Sequence, residues 1–216
     1  MAFNLDRVKG LCFDIDGTIS DTDDAWVEKL TRLFQPVRFL FRKGDVRHFA
    51  RWLVMVTESP MNLVYYWADS LSMDDNFARL FERISRGRKR AHAPFMLMKG
   101  ARELLDAAHS RYPLTVVTAR DAASSARFLE QFSLGGSFRQ VVSSLTCEHT
   151  KPYPEPVQFA ARSMNLEAQD CVMIGDTTVD ILAGKRAGTQ TVGLLCGFGT
   201  EDELRKAGAD MILNDL

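Results

Sequence analysis

Hydrophobic and polar positions along the chain fall into three textures. Val8 to Ile15 is a compact apolar run, crowded with Val, Leu, Phe and Ile and closed by Gly17. It predicts a short buried strand. From about Asp24 to Pro94 the texture is helical, rich in Leu, Phe, Arg and Met. Strong breakers occur there only at Pro36, Gly44, Pro60 and Gly87, and nothing alternates as a strand would. Most of the aromatic residues, among them Trp26, Phe49, Trp52 and Trp67, lie in this block.

Beyond Lys99 short apolar runs alternate with amphipathic ones. Gly100 to Ser110 predicts a helix with Leu104, Leu105 and Ala108 on one face. Pro113–Thr118, Gln140–Ser143, Asp170–Ile174, Gln190–Leu195 and Asp210–Leu213 read as strands. Between them Asp121–Phe132, Pro154–Met164, Thr178–Ala187 and Glu201–Lys206 read as helices. Asp121 suits an N-cap, Pro154 a first turn and Gly188 a C-cap.

Strands alternating with helices imply an α/β fold with a parallel sheet covered on both faces, a Rossmann-like core. The helical block is then an insertion after the first strand. The expected domains are a core of residues 1–20 and 95–216 and an all-helical cap of residues 21–94. Inserted there, the cap would overhang the carboxyl ends of the strands, as a lid does over an active site.

Composition narrows the function classes. The 216 residues are 46% hydrophobic and 25% charged, with a formal net charge of −1. Such a balance supports an ordinary core and gives no electrostatic case for nucleic-acid binding. The four cysteines, Cys12, Cys147, Cys171 and Cys196, form no CxxC pair. They read as reduced, mostly buried thiols of a cytoplasmic protein, and the histidines His48, His92, His109 and His149 share no ligand spacing. The N-terminus lacks a signal-peptide pattern, and no apolar run is long enough to span a bilayer.

The chemistry gathers where apolar strands stop. Asp14 and Asp16 follow the first strand, and if the strand continues through them their side chains share a face. Two carboxylates held close repel unless a cation or a proton joins them, and a hard divalent cation such as Mg2+ is the economical solution. A plain polar turn would use the same residue types. Three further signals decide between the two: Thr118 after its strand, Lys151-Pro152 before a helix, and Gly175-Asp176-Thr177-Thr178-Val179-Asp180. Acids for a metal, a hydroxyl and a lysine for phosphate, and a carboxylate nucleophile together suit phosphoryl transfer.

In the order and spacing of these motifs, over nearly its whole length, the chain resembles the haloacid dehalogenase superfamily of phosphohydrolases. Within it, the chain looks most like the phosphoglycolate-phosphatase-like group with a helical cap. The tail Ala207-Gly208-Ala209-Asp210-Met211-Ile212-Leu213 also looks like the family's ending. The resemblance implies that Asp14 is the nucleophile and Asp16 the acid that becomes a base. It implies that Thr118 bonds the transferring phosphoryl group and that Lys151 stabilises its charge. Mg2+ would be held by Asp14, the backbone carbonyl of Asp16, and Asp176, with Asp180 reaching it through water or orienting Lys151. Backbone amides from Ile15 through Gly17 to Thr18 would cradle phosphate oxygens. Many relatives carry Asn or Ser where this chain has Ala119. Substrate contact there would be made by the backbone or by Arg120, which otherwise would simply lie on the surface.

The implied enzyme is an Mg2+-dependent phosphatase acting on a small phosphorylated metabolite, as a monomer or homodimer. A carboxylate at Asp16 favours phosphate esters over halides, since a halide leaves without a proton. The alternatives are a phosphomutase sharing every motif and a non-catalytic binding protein that keeps the fold.

Overall fold

A computed structural model describes residues 3–21, 32–36 and 95–216. The chain divides into two compact units, Met1–Thr22 with Phe95–Leu216, and Asp23–Pro94. In the second unit only 32–36 are described; they form a short helical stretch. The expected all-helical cap, with its aromatic and basic stretches, otherwise lies outside the described residues.

The first unit follows the alternating pattern closely. Its strands are β1 (Gly10–Phe13), β2 (Leu114–Val117), β3 (Gln140–Val142), β4 (Cys171–Gly175), β5 (Gln190–Leu194) and β6 (Met211–Leu213). Its helices are α1 (Ala101–His109), α2 (Ala122–Gln131), α3 (Glu155–Ser163), α4 (Thr178–Ala187) and α5 (Glu201–Ala207). The strands form one sheet in the order β3-β2-β1-β4-β5-β6, every neighbouring pair parallel.

Side-chain alternation divides the core between the two faces of the sheet. Cys12, Val117, Cys171 and Met173 pack with Val157, Ala160 and Ala161 of α3 and Ala183 and Ala187 of α4. Phe13, Leu114 and Val116 pack with Ala101, Leu105 and Ala108 of α1 and Phe128 and Leu129 of α2. Cys12 and Cys171 are buried and all four thiols are free. Two expected caps are present: Asp121 accepts the Ser124 amide at 2.9 Å, and Gly188 ends α4 at φ 88°.

The strand order positions the site. The chain runs from β1 outward through β2 and β3, then returns to lay β4 against the other edge of β1. The crevice outside the carboxyl ends of β1 and β4 is therefore a topological switch point, where ligands bind in open α/β sheets. The segments flanking residues 22–94 also pair. Ser20 bridges Leu97 antiparallel, the Asp21 amide donates to Met96 O at 2.9 Å, and the Met98 amide to Ile19 O at 3.0 Å. No described helix is long and apolar enough to cross a membrane.

Candidate active site

β1 is shorter than its apolar run predicts. It ends at Phe13, and the Asp14 amide donates to Ile174 O at 2.9 Å, anchoring this residue beside β4. Ile15 to Ile19 form a tight turn in which Gly17 adopts φ 75° and Asp16 bridges Ser20. Strand periodicity therefore does not extend through Asp16, and the expectation of two carboxylates sharing one strand face is corrected. Asp14 is held by Lys151, whereas Asp16 is held by Arg120. The turn also engages the amides expected to cradle phosphate: Gly17 N–H donates to Ser20 O at 3.0 Å and Thr18 N–H to Ile15 O at 3.2 Å. The Thr18 hydroxyl bonds Asp176 Oδ1 at 3.3 Å.

Lys151, on the loop before α3, draws the acids together. Its ammonium donates to Asp14 Oδ1 at 2.7 Å and to Asp180 Oδ1 at 2.6 Å, and all three residues are buried. The Lys151–Pro152 peptide bond is cis. Asp180, in the first turn of α4, is oriented from its other oxygen, which accepts the Thr177 amide at 3.0 Å and the Thr177 hydroxyl at 2.6 Å. This is the acidic half of a capping box, so one carboxylate both starts the helix and fixes the lysine.

Asp176 follows β4 and is walled in by glycines. Its Oδ2 accepts the Phe198 amide at 2.7 Å. A Cβ on Gly17 would lie 2.3 Å from Oδ2, and one on Gly197 only 2.1 Å from it. Only backbone fits against this carboxylate on two sides. Gly197 and Phe198 were not singled out from sequence, although Gly197-Phe198-Gly199 after an apolar strand is a signal of close backbone approach.

Thr118 sits at the carboxyl end of β2, the strand beside β1, and is buried. Its Oγ1 accepts the Arg120 amide at 3.1 Å. Ala119 lies half-buried in the bend between them. Arg120 does not simply lie on the surface. Its side chain is 8% exposed and grips Asp16 through Nε, at 3.1 Å, and through Nη2. Its guanidinium stacks 4.9 Å from the Phe95 ring centroid and 5.7 Å from that of Phe128. Neither phenylalanine carried any site signal in the sequence.

Electrostatics follow from burial. Asp14, Asp176 and Asp180 each offer an oxygen within 4.8 Å of the others, and Lys151 is the cation that the described residues set among them, bonded to Asp14 and Asp180. Burial pushes the Asp14 carboxyl up from 3.8 to about 7; the Lys151 charge opposes this, and the charges of Asp180 and Asp16 add to it. Asp176 is pushed well up by burial, then by Asp180 and Asp14, against the Phe198 amide. Burial pulls the Lys151 ammonium down, but the charges of Asp14 and Asp180 and their hydrogen bonds reverse this and raise it. Three acids against one ammonium form an oxygen-rich, electron-rich pocket that calls for protons or a hard divalent cation. The donor set, its spacing and its backbone walls fit such an ion.

The family model for haloacid dehalogenase-like hydrolases matches residues 11–194. The chain belongs to that family. It is 24% identical to a pyrophosphatase, PpaX, from Halalkalibacterium halodurans, over 97% of this chain and 94% of that one. It is 25% identical to a phosphoglycolate phosphatase from Photobacterium profundum, over 96% and 92% of the two chains. Among solved structures, a haloacid dehalogenase-like family hydrolase from Streptococcus pneumoniae shares the fold with a TM-score of 0.70 and 20% identity, covering 98% of this chain and 96% of that one.

Proposed function

We propose that this chain is a divalent-metal-dependent phosphatase that hydrolyses a small phosphorylated metabolite through a phosphorylated Asp14. The observation that carries this reading is Lys151 bridging Asp14 and Asp180 in a buried pocket that Asp176 completes. Membership of a hydrolase family and relatives named for cleaving pyrophosphate and phosphoglycolate support it. Those two names differ in substrate, so the substrate is read no more finely than a small phosphate compound.

Asp14, the Asp16 carbonyl and Asp176 would hold Mg2+, with Asp180 behind them. When bound, the ion neutralises phosphoryl charge and favours the ionised carboxylates. In the first step a carboxylate oxygen of Asp14 attacks phosphorus. The bond from phosphorus to the leaving oxygen breaks, and its electron pair goes to that oxygen, which takes a proton from Asp16. In the second step water attacks the phosphorus of the acyl phosphate and yields its proton to Asp16. Asp14 is released as a carboxylate, together with inorganic phosphate. Lys151 holds Asp14 and offsets charge in both steps, and the Thr118 hydroxyl would bond a phosphoryl oxygen. Buried side chains around Asp14 exclude stray water.

The test is hydrolysis of 4-nitrophenyl phosphate with and without Mg2+. Wild-type protein is expected to release nitrophenol only with the metal, and both Asp14→Asn and chelation are expected to abolish release. Full activity in Asp14→Asn would overturn the covalent mechanism. Product analysis with a hexose 1-phosphate separates hydrolysis, which gives inorganic phosphate, from transfer to a second hydroxyl of the sugar.

A further inference from the structure

We propose that Arg120 is a positioning residue for Asp16, a fixed fork that holds the proton-transferring carboxylate where the leaving oxygen must arrive. This rests on the phosphatase reading above. Three observations carry it.

First, Arg120 is immobilised along its length. Its amide donates to Thr118 Oγ1 at 3.1 Å, and its carbonyl accepts the Ser144 amide at 3.1 Å. The next residue, Asp121, is the N-cap of α2. Its guanidinium lies against Phe95 and Phe128, themselves packed edge to face with centroids 5.7 Å apart. Phe95 is tied down in turn, since its carbonyl accepts Gln131 Nε2 at 2.9 Å.

Second, the grip on Asp16 is bidentate, through Nε and Nη2, one to each carboxylate oxygen. A fork matched to a carboxylate fixes its orientation as well as its distance, which a single ammonium does not.

Third, the exposures are unequal. The Arg120 side chain is 8% exposed and that of Asp16 is 32%. Asp16 stands on a turn and is half-buried, whereas Arg120 is packed from behind. The arginine is therefore the fixed partner and the aspartate the one being placed. The other role open to an arginine two residues beyond Thr118 is to clamp a second anionic group of the substrate, and the experiment separates the two.

Acid catalysis matters most for a poor leaving group, and this separates placing the acid from merely keeping the fold. The experiment measures kcat and KM with Mg2+ for phosphate monoesters running from nitrophenyl through phenyl to alkyl alcohols, and for phosphoglycolate as an ester that carries a second anionic group. Variants are Arg120→Gln, Arg120→Lys, Phe95→Leu, Asp16→Asn and the double variant Arg120→Gln/Asp16→Asn. Thermal unfolding of each reports the fold.

Arg120→Gln is expected to lose about tenfold more on alkyl than on nitrophenyl esters, the scale of a misplaced catalytic group. Arg120→Lys and Phe95→Leu should show the same leaving-group pattern more weakly. Asp16→Asn should show it more strongly, and the double variant should be no worse than Asp16→Asn alone, because one residue acts through the other. Equal losses across the whole series, or additive losses in the double variant, would overturn the proposal while leaving the phosphatase reading intact. A rise in KM confined to esters with a second anionic group would overturn it in favour of a substrate clamp. Inactivity of the wild type on every ester with Mg2+ would overturn the phosphatase reading and the inference together.

Discussion

Lys151 is the side chain on which the buried acids depend. It donates to two carboxylates within 2.7 Å, and all three groups are removed from water. Such an arrangement adds little stability over a well-packed apolar one, but it is costly to break, because the partners stay buried and charged. Lys151→Met leaves an unbranched side chain one heavy atom shorter and removes the ammonium, with its charge and both of its hydrogen bonds. In the metal-free protein it is expected to cost roughly 3 kcal/mol, read from the midpoint of urea unfolding. With Mg2+ present, kcat on 4-nitrophenyl phosphate is expected to fall at least about a hundredfold, since a charge-stabilising donor to the phosphoryl group is gone. An active Lys151→Met enzyme would assign the lysine to folding alone. Arg120 shows the complementary case, a half-buried acid placed by a buried cation rather than a buried cation held by buried acids.

At the scale of elements, most of the architecture was legible because each strand and helix carries its own period. Leu114, Val116 and Val117 mark a strand buried on both faces, and Asp121 and Gly188 mark helix ends by their own chemistry. The end of β1 was misplaced because Ile15 is apolar, yet it serves as the buried floor of a turn rather than as a strand residue. The motif positions Asp14, Lys151, Asp176 and Asp180 were legible as short signals after strands, and the sheet order brings them together. The Arg120–Asp16 pair was not legible, because its members are 104 residues apart and nothing local marks either for the other. The loop after β5 lay between these extremes. Its glycines were visible, but what they approach depends on the neighbouring strand. Gly197→Ala tests that approach, since the new methyl would fall 2.1 Å from Asp176 Oδ2 and 2.5 Å from Gly17 O. Asp176 must then move. Mg2+ dependence of the activity is expected to shift to about 10–100-fold higher metal concentration, as when a ligand loses its support. An unchanged metal dependence would show that the loop yields instead of the carboxylate.

Taken as a whole molecule, the protein is nearly neutral, with a formal net charge of −1, yet it collects three buried acids at the switch point of its sheet. Folding without a cation must therefore hold protons there. Asp14 titrates near 3.8 as an ordinary carboxyl but at about 7 in the folded protein, and Asp176 is shifted the same way. Between these values the native state binds more protons than the unfolded chain, so stability falls as pH rises through that window. A divalent cation competes with those protons, so its stabilising effect grows over the same window. The expected outcome is a metal-free melting temperature that declines from about pH 5 to pH 7, inside the window that the two Asp14 values bracket, and levels off towards pH 8. Mg2+ at about 100 times its dissociation constant should restore about 2.7 kcal/mol at pH 8 and much less at pH 5. Asp14→Asn should flatten the metal-free slope, because the amide carries no proton equilibrium there. Calorimetry of the two proteins in EDTA and in Mg2+ measures all four curves. A metal-free melting temperature that stays level or rises between pH 5 and pH 8 would mean that the acids reach charge balance through some group other than protons. The need for a cation would then have to be argued from activity alone.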